Sequence, residues 1–518
     1  MQNKFESAVI DLAKSKIETL PDFESAKRLI SKRYEIPTPS NINLLKAYHK
    51  LLGNKRIKEN KKLEYLLRKR RIRSLSGIVN VSVLTKPYKC PGKCIFCPTQ
   101  KGVPKSYLKK EPAVQRAILA RFDPYLQFKT RIESLEMTGH PTDKIELRVI
   151  GGTWSYYPKQ YQKNFVKRCF EAGNNRKSKT LESAQRINER AKHRIIGLTV
   201  ETRPDYINPK EIKWLRELGV TRVEIGVQSI YEDVLSLNRR GHTVKETIDA
   251  TRLLKNAGFK VSYQIMPNLA GSSFKKDIEM FKELFSNPDF QPDLLKIYPL
   301  GLVKESLLYG WYKKKRFRPY SEKKLIKLLI EMKKQIPHYV RIERVIRDIP
   351  SADIVAGGVK TSNLREVVQK EVKCKCIRCR EVKESYDEKE KLFLLRQDYQ
   401  ASGGKEIFLS FENKNRTKLH ALLRLRINND YSGLPVLEKS AVVREIHTYG
   451  QMARIIRKQT SGSAQHKGLG KKLMKEAEKI AKKEFKLDKI AVIAGIGVRG
   501  YYRKLGYKLK DTYMVKSI

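Results

Sequence analysis

From Gly77 to about Tyr320, short apolar runs alternate with stretches whose apolar positions recur every three or four residues. The runs near 78–85, 145–150, 195–200, 222–227, 260–266 and 294–298 read as strands. Between them, 160–172, 181–192, 209–218, 243–257 and 275–285 read as amphipathic helices. Such alternation predicts βα units on a parallel sheet, and six units make a partial (β/α)6 barrel. Beyond about 390 the pattern changes to antiparallel strands at 407–411, 421–426 and 441–448, followed by a helix to about Phe485 and a strand at 489–494, an α+β arrangement. The first 75 residues look helical. The predicted organisation is therefore a helical region (1–75), a barrel (76–340), a linker (341–389) and a small α+β domain (390–518).

The first predicted strand runs into Cys90-Pro-Gly-Lys-Cys94-Ile-Phe-Cys97. Three thiolates at C-x3-C-x2-C spacing can ligate three irons of a 4Fe-4S cluster and leave the fourth iron open to a substrate. A zinc knuckle would want a fourth Cys or His close by, and three unrelated buried thiols is the plainest alternative. Seven cysteines in 518 residues is sparse usage, which argues against a disulfide framework. Other strand ends point to the same mouth. Gly151-Gly152 lets backbone approach a ligand, Glu201-Thr202-Arg203-Pro204-Asp205 follows the third strand, and Gln228 ends the fourth.

A second thiol group, Cys374-Lys-Cys376-Ile-Arg-Cys379, lies in the linker. Three soft ligands suit zinc, a tetrahedral site needs a fourth, and His338 and His447 are candidates; three free thiols is the alternative. In the α+β domain, Gln465-His-Lys467-Gly468-Leu469-Gly470 opens a helix, where exposed backbone N–H groups and the helix dipole can hold a pyrophosphate. Tyr501-Tyr502 follows on a short helical stretch, where packing competes with a catalytic role.

Charge adds a partner. The formal net charge is +54, and a surplus of this size points to nucleic acid. Ten Lys or Arg lie between Lys55 and Arg73, so the basic region 1–75 reads as a phosphate-contacting element, with a solvated helix face or mobile arm as the plainer alternative. Trp311-Tyr-Lys-Lys-Lys-Arg-Phe317-Arg318 interleaves rings and cations, which suits single-stranded RNA as well as an exposed loop with apolar anchors. No apolar run approaches the ~20 residues of a membrane span. With no signal-peptide pattern and free thiols, the sequence reads as cytoplasmic.

The cysteine loop resembles the signature of radical S-adenosylmethionine (SAM) enzymes, and the glycine loop with Tyr501-Tyr502 resembles the GNAT acetyltransferase fold. Their pairing resembles the catalytic subunit of Elongator across about 75–518, carried also by Glu201 to Tyr206, Glu224 to Ser229, Arg240 to Lys245, Arg347 to Pro350 and Gly500 to Tyr507. The resemblance implies a tRNA-modifying enzyme that uses a SAM-derived radical and acetyl-CoA to build a carboxymethyl group on carbon 5 of the wobble uridine, in the anticodon stem-loop. It implies that Cys90, Cys94 and Cys97 hold the cluster and that Gly151, Gly152, Glu201, Arg203 and Gln228 contact SAM. Acetyl-CoA would meet Lys144, Glu445, Ile446, His447, Thr448, Gln465, Lys467, Gly468, Leu469, Gly470 and Tyr502, with Lys144, Tyr501 and Tyr502 as catalytic candidates. An external electron donor is implied. The compact cysteine spacing and the second thiol group match a single-chain archaeal or bacterial form that does not require other Elongator subunits. The competing expectation is a protein lysine acetyltransferase with a structural cluster.

Overall fold

The computed structural model describes residues 2–69, 74–358, 363–383, 387, 389–450 and 468–518. In the barrel, strands β1 (Val79–Leu84), β2 (Lys144–Ile150), β3 (Arg194–Thr202), β4 (Arg222–Gln228), β5 (Lys260–Ile265) and β6 (Leu294–Ile297) occupy the six predicted positions. A two-residue strand, β7 (Gly301–Leu302), precedes β8 (Arg341–Arg344), and β9 (Ala356–Gly357) pairs back onto β7. The order β1-β2-β3-β4-β5-β6-β8 makes a seven-stranded sheet, parallel at every pairing. The seventh strand lies beyond the boundary predicted at 340. It was hidden because only Ile342 of Arg341-Ile-Glu-Arg344 is apolar.

Alternation along these strands sorts the side chains by face. Val79, Val81 and Val83, Ile145, Leu147 and Val149, and Val261, Tyr263 and Ile265 are buried together in the core beneath the surrounding helices. The opposite face carries Asn80 and Ser82, Glu146 and Arg148, Arg222, Lys260 and Gln264, and Lys296, all lining one cavity inside the barrel. The interior is thus polar and held by ion pairs: Arg148 donates to Glu224 at 2.8 Å, Arg222 to Glu343 at 2.7 Å, and Lys296 to Glu201 at 2.9 Å. Buried charge of this density tolerates few single deletions, because each would strand a partner.

The second sheet runs through β10 (Phe393–Ala401), β11 (Gly404–Glu412), β12 (Leu419–Asn428), β13 (Ser440–Thr448), β14 (Lys489–Val492), β15 (Lys508–Lys510) and β16 (Tyr513–Ser517), in the order β10-β11-β12-β13-β14-β16-β15. Only β13 and β14 pair in parallel, over Ser440–Val443 and Lys489–Val492. The helix Leu469–Phe485 covers one face through Leu473, Met474, Ala477 and Ile480. Against expectation, β10 is an added edge strand; its outward positions are exposed, so its apolar signal is diluted.

The α+β domain packs on the amino-terminal ends of the barrel strands. Gly495 and Gly497 press the backbone against β3: a Cβ on Gly495 would lie 1.9 Å from the Ile196 carbonyl oxygen. Asp293, fully buried just before β6, receives Arg444 of β13 at 2.9 Å and lies 3.6 Å from Arg424 of β12 and 3.4 Å from Lys255. Arg424 also donates to the Tyr339 carbonyl at 2.6 Å.

The amino-terminal region is a folded unit of four helices, Gln2–Lys14, Leu20–Arg33, Asn41–Gly53 and Lys61–Leu67. Thr19, Ser40 and Asn60 cap the last three. Val9, Leu12, Phe23, Ile30, Leu44, Tyr48 and Leu67 form a core separate from the barrel's. Arg68 ties it to the barrel by donating to the Gly139 carbonyl at 2.7 Å.

Burial opposes ionisation of Asp293, but Arg444, Lys255 and Arg424 hold its carboxyl well below the usual carboxylate range. Asp293→Asn should therefore cost about 3–5 kcal/mol near pH 7, measured by denaturant unfolding. A carboxylate with a depressed native pKa stabilises above its unfolded pKa and loses that contribution on acidification. The gap between wild type and variant should accordingly begin to narrow below about pH 4.

Candidate active site

At the carboxyl end of β1, Gly92 is buried between the sulfurs of Cys90 and Cys94, which lie 3.7 and 3.5 Å from where its Cβ would be. The same Cβ would lie 2.5 Å from Arg203 Nη1, so a larger residue here would displace the Arg203 guanidinium from the loop. Lys105 holds it from the far side by donating to the Gly92 carbonyl at 2.8 Å. Arg240 donates to Cys94 Sγ at 3.5 Å and to the Gly226 carbonyl at 2.6 Å. A hydrogen bond with Cys97, then Arg240 and Arg203, outweigh burial and bring the Cys94 thiol down to about 5. Arg203 Nη1 and Arg240 Nε are buried with no hydrogen-bond partner. Three thiols in one loop, backed by cations with spare donors, fit an anionic iron–sulfur cluster.

The predicted SAM residues surround this loop. Gly151 has φ 129° and a Cβ there would lie 2.0 Å from Thr85 Oγ1, while Gly152, at φ 92°, faces the cavity. Gln228 is a buried non-glycine residue with φ 70° and an unpartnered Oε1, a strained placement that a functional site tolerates. Arg203 is held by Asp205 at 2.8 and 2.9 Å and by the Gly241 carbonyl at 2.7 Å. Glu201 is already engaged, by Lys296 at 2.9 Å and by the Tyr107 hydroxyl at 3.0 Å. Burial opposes its ionisation, but Lys296 and Arg148 draw its pKa down to about 2.

Arg240, His242 and Arg347 were quoted in the sequence only as family stretches, without a role. The structure sets them at the cluster end: burial, Arg240 and Arg203 keep the His242 imidazole neutral, and Arg347 donates to Ser106 at 3.0 Å and Glu111 at 3.2 Å. Their signal was a cation in a loop that follows a strand, which sequence alone cannot distinguish from a solvated one. In the Trp311–Arg318 stretch, Trp311, Tyr312 and Phe317 are half-buried against the core that includes Cys94, Ile95 and Phe96, and the cations between them are exposed.

The acetyl-CoA candidates divide by face. A Cβ on Gly470 would lie 3.0 Å from the Tyr501 hydroxyl, 3.7 Å from Ile446 Cδ1 and 3.8 Å from Thr448 Oγ1, so these groups gather at the start of the helix Leu469–Phe485. Gly468 caps that helix at φ 68°; Gln465 and Lys467 lie outside the described residues. Glu445 and His447 point the other way, into the barrel cavity. Glu445 lies 3.3 Å from Lys260 and accepts from Arg424 at 2.9 Å, and His447 Nε2 meets the Ser76 carbonyl at 2.8 Å. Tyr502 is 5% exposed within the domain core, edge to face with Tyr507. Of the two tyrosines, Tyr501 is the one that reaches Gly470, because successive residues of a helix point about 100° apart and Tyr502 is turned into the core. Lys144 opens β2 at the barrel end that carries the α+β domain, and burial lowers its pKa to about 8.

One cavity of ≈ 840 Å³ joins the two ends, with Cys90, Cys94 and Cys97 at one and Glu445, Ile446 and His447 at the other. Separately, the sulfurs of Cys374, Cys376 and Cys379 lie within 4.8 Å of one another. Neither His338 nor His447 joins them among the described residues. Gln369 donates to Cys379 Sγ at 3.1 Å. No described helix is long and apolar enough to cross a membrane.

Comparison with known proteins agrees with this division. Residues 84–284 match the radical SAM superfamily model, 292–374 the radical SAM C-terminal domain and 382–507 the acetyltransferase (GNAT) family. Barrel and second domain thus define a radical SAM enzyme fused to a GNAT domain, an acetyl-transferring enzyme. The tRNA uridine(34) acetyltransferase of Methanocaldococcus infernus is 47% identical over 96% of this chain and 98% of its own length. The human Elongator complex protein 3 is 39% identical over 87% of this chain and 86% of its own. The solved structure of archaeal M. infernus Elp3 with an N-terminal deletion (1-46) aligns at a TM-score of 0.76 and 46% identity, covering 86% of this chain and all of that one. The chain belongs to the Elp3 family.

Gly151→Ala should displace Thr85 and strain the turn, at a cost on the order of 1–3 kcal/mol. In thermal unfolding it should be the more destabilised of the pair with Gly152→Ala, whose Cβ would find nothing nearer than 3.9 Å.

Proposed function

We propose that this enzyme builds a carboxymethyl group on carbon 5 of the wobble uridine of tRNA from acetyl-CoA. The cavity that runs from the cysteine loop to Glu445, Ile446 and His447 of β13 supports this reading, because it reaches from the radical half-site to the strand whose other face carries the glycine loop. The +54 charge supports an RNA substrate, as do the names of the archaeal relatives. Lysine acetylation is disfavoured, because a lysine-rich protein substrate would meet like charge on a chain of net charge +54.

In this reading Cys90, Cys94 and Cys97 would hold a 4Fe-4S cluster, which with SAM supplies a hydrogen-abstracting radical. Gly152 leaves room beside it for the SAM amino group, and Arg203 and Arg240 neutralise thiolate charge. Gly468 and Gly470 present backbone N–H groups to the acetyl-CoA pyrophosphate. Tyr501, beside Gly470, would meet the acyl end of acetyl-CoA, Tyr502 would support it from the core, and Lys144 would complete the site from the barrel. A lowered pKa lets Lys144 serve as a neutral amine at mildly alkaline pH. An external reductant supplies electrons, and cytoplasmic tRNA is the setting. Cys374, Cys376 and Cys379 would hold a structural zinc under the strand β8, with the fourth ligand supplied from outside this trio.

With acetyl-CoA deuterated on its methyl group, 5′-deoxyadenosine should acquire deuterium and the tRNA uridine the labelled two-carbon unit. Cys94→Ala should lose both cluster absorbance and SAM cleavage while acetyl-CoA binding stays measurable; labelled uridine without labelled 5′-deoxyadenosine would refute this chemistry. Metal analysis of iron-free protein should find zinc, and Cys376→Ser should lower the zinc content and the thermal stability but leave SAM cleavage by the folded fraction largely intact.

A further inference from the structure

The two half-sites lie at opposite ends of the barrel. The cysteines follow the carboxyl end of β1, whereas β13 docks at the amino-terminal ends through Lys260–Glu445 and Asp293–Arg444. A strand the length of β2, seven residues, spans about 23 Å at ~3.3 Å per residue. Hydrogen abstraction needs reacting atoms within about 3.5 Å, so the acyl unit has to travel.

The seven-stranded sheet does not close: β1 and β8 are its two edges and do not pair. Along this seam the cavity is walled by Asn80 and Ser82 of β1 and by Arg341 and Glu343 of β8, and it is continuous from the cysteine loop to Glu445 and His447. Its interior also carries Arg148 Nε and Glu343 Oε2, buried polar atoms with no hydrogen-bond partner, and such atoms are ordinarily satisfied by water or a ligand. At the floor, β13 and β14 pair only as far as Val443 and Val492. Beyond that point Ile446 touches both worlds, its Cδ1 facing Gly470 and its residue lining the cavity.

We propose that the cleft along the unclosed barrel seam is a passage that carries the two-carbon acyl unit from the glycine-loop side of β13 to the cysteine end of the barrel. This rests on the proposed function, since it presumes that acetyl carbon reacts at the cluster. The unit travels either on its thioester arm or as free acetate, formed when water cleaves the thioester and releases the coenzyme A thiol, and both present a small polar group to the walls.

The test plugs the cleft midway without touching either half-site. Ser82→Trp and, at an exposed position more tolerant of bulk, Asn80→Trp are assayed with deuterated acetyl-CoA, SAM, reductant and tRNA. Acetyl-CoA binding and SAM cleavage should stay near wild-type levels, which also reports that the variants fold. Deuterium transfer to 5′-deoxyadenosine should fall by about a hundredfold, the scale of loss when reactants are kept from contact. Wild-type transfer rates in both variants would overturn the passage. Absence of transfer in wild type would instead overturn the function on which it rests. A parallel reaction with deuterated acetate and CoA in place of acetyl-CoA separates the two forms of cargo: label arriving from acetate identifies the free acid, and label arriving from the thioester alone identifies the arm.

Discussion

Asp293 is the point on which the two-domain arrangement depends. It sits in the barrel, fully buried, and its charge is met by Arg444 and Arg424 from the second domain and by Lys255 from its own. Burial of so many charges is sustained only when each is paired, so the two domains cannot separate without exposing or stranding several at once. The same cations reach Glu406 and Glu445, and through Glu445 the network extends to the cavity floor. The distance between radical half-site and acetyl half-site is therefore set by ion pairs rather than by a hinge.

A consequence follows for the barrel interior. One end is capped by a charged interface, and the lining is charged as well: Glu146, Arg148, Arg222, Glu224, Lys296 and Glu343 compensate one another across the lumen. This differs from a barrel filled with branched aliphatic layers. Polar walls leave room for water and small polar cargo, and the missing pairing between β8 and β1 leaves the lumen unclosed on one side.

The amino-terminal helices show what charge density alone leaves open. A basic run suits a solvated helix face as well as an arm, and the described helices close around Phe23, Leu44, Tyr48 and Leu51. Basic residues lie on the outer face of a folded unit, as they would on any helix whose apolar stripe is buried.

Much of the architecture was legible in the sequence. Apolar alternation located the six barrel strands and three of the antiparallel strands, because those signals are local and each strand buries one face. The gathering of Cys90, Cys94 and Cys97 in one loop, and of the trio at 374–379, was legible because spacing along a loop is itself local. The roles of Arg240, Arg203 and Tyr501 were decided only by tertiary structure. Each acts on a group distant in sequence: Arg240 on Cys94, Arg203 on the Gly92 loop, Tyr501 on Gly470. So too with Glu445 to Thr448, which sequence assigned as one block. Strand alternation sends Glu445 and His447 into the barrel and leaves Thr448 beside the glycine loop, and which face meets which site depends on where a second domain docks. Sequence periodicity states that a strand has two faces; only packing states what each face meets.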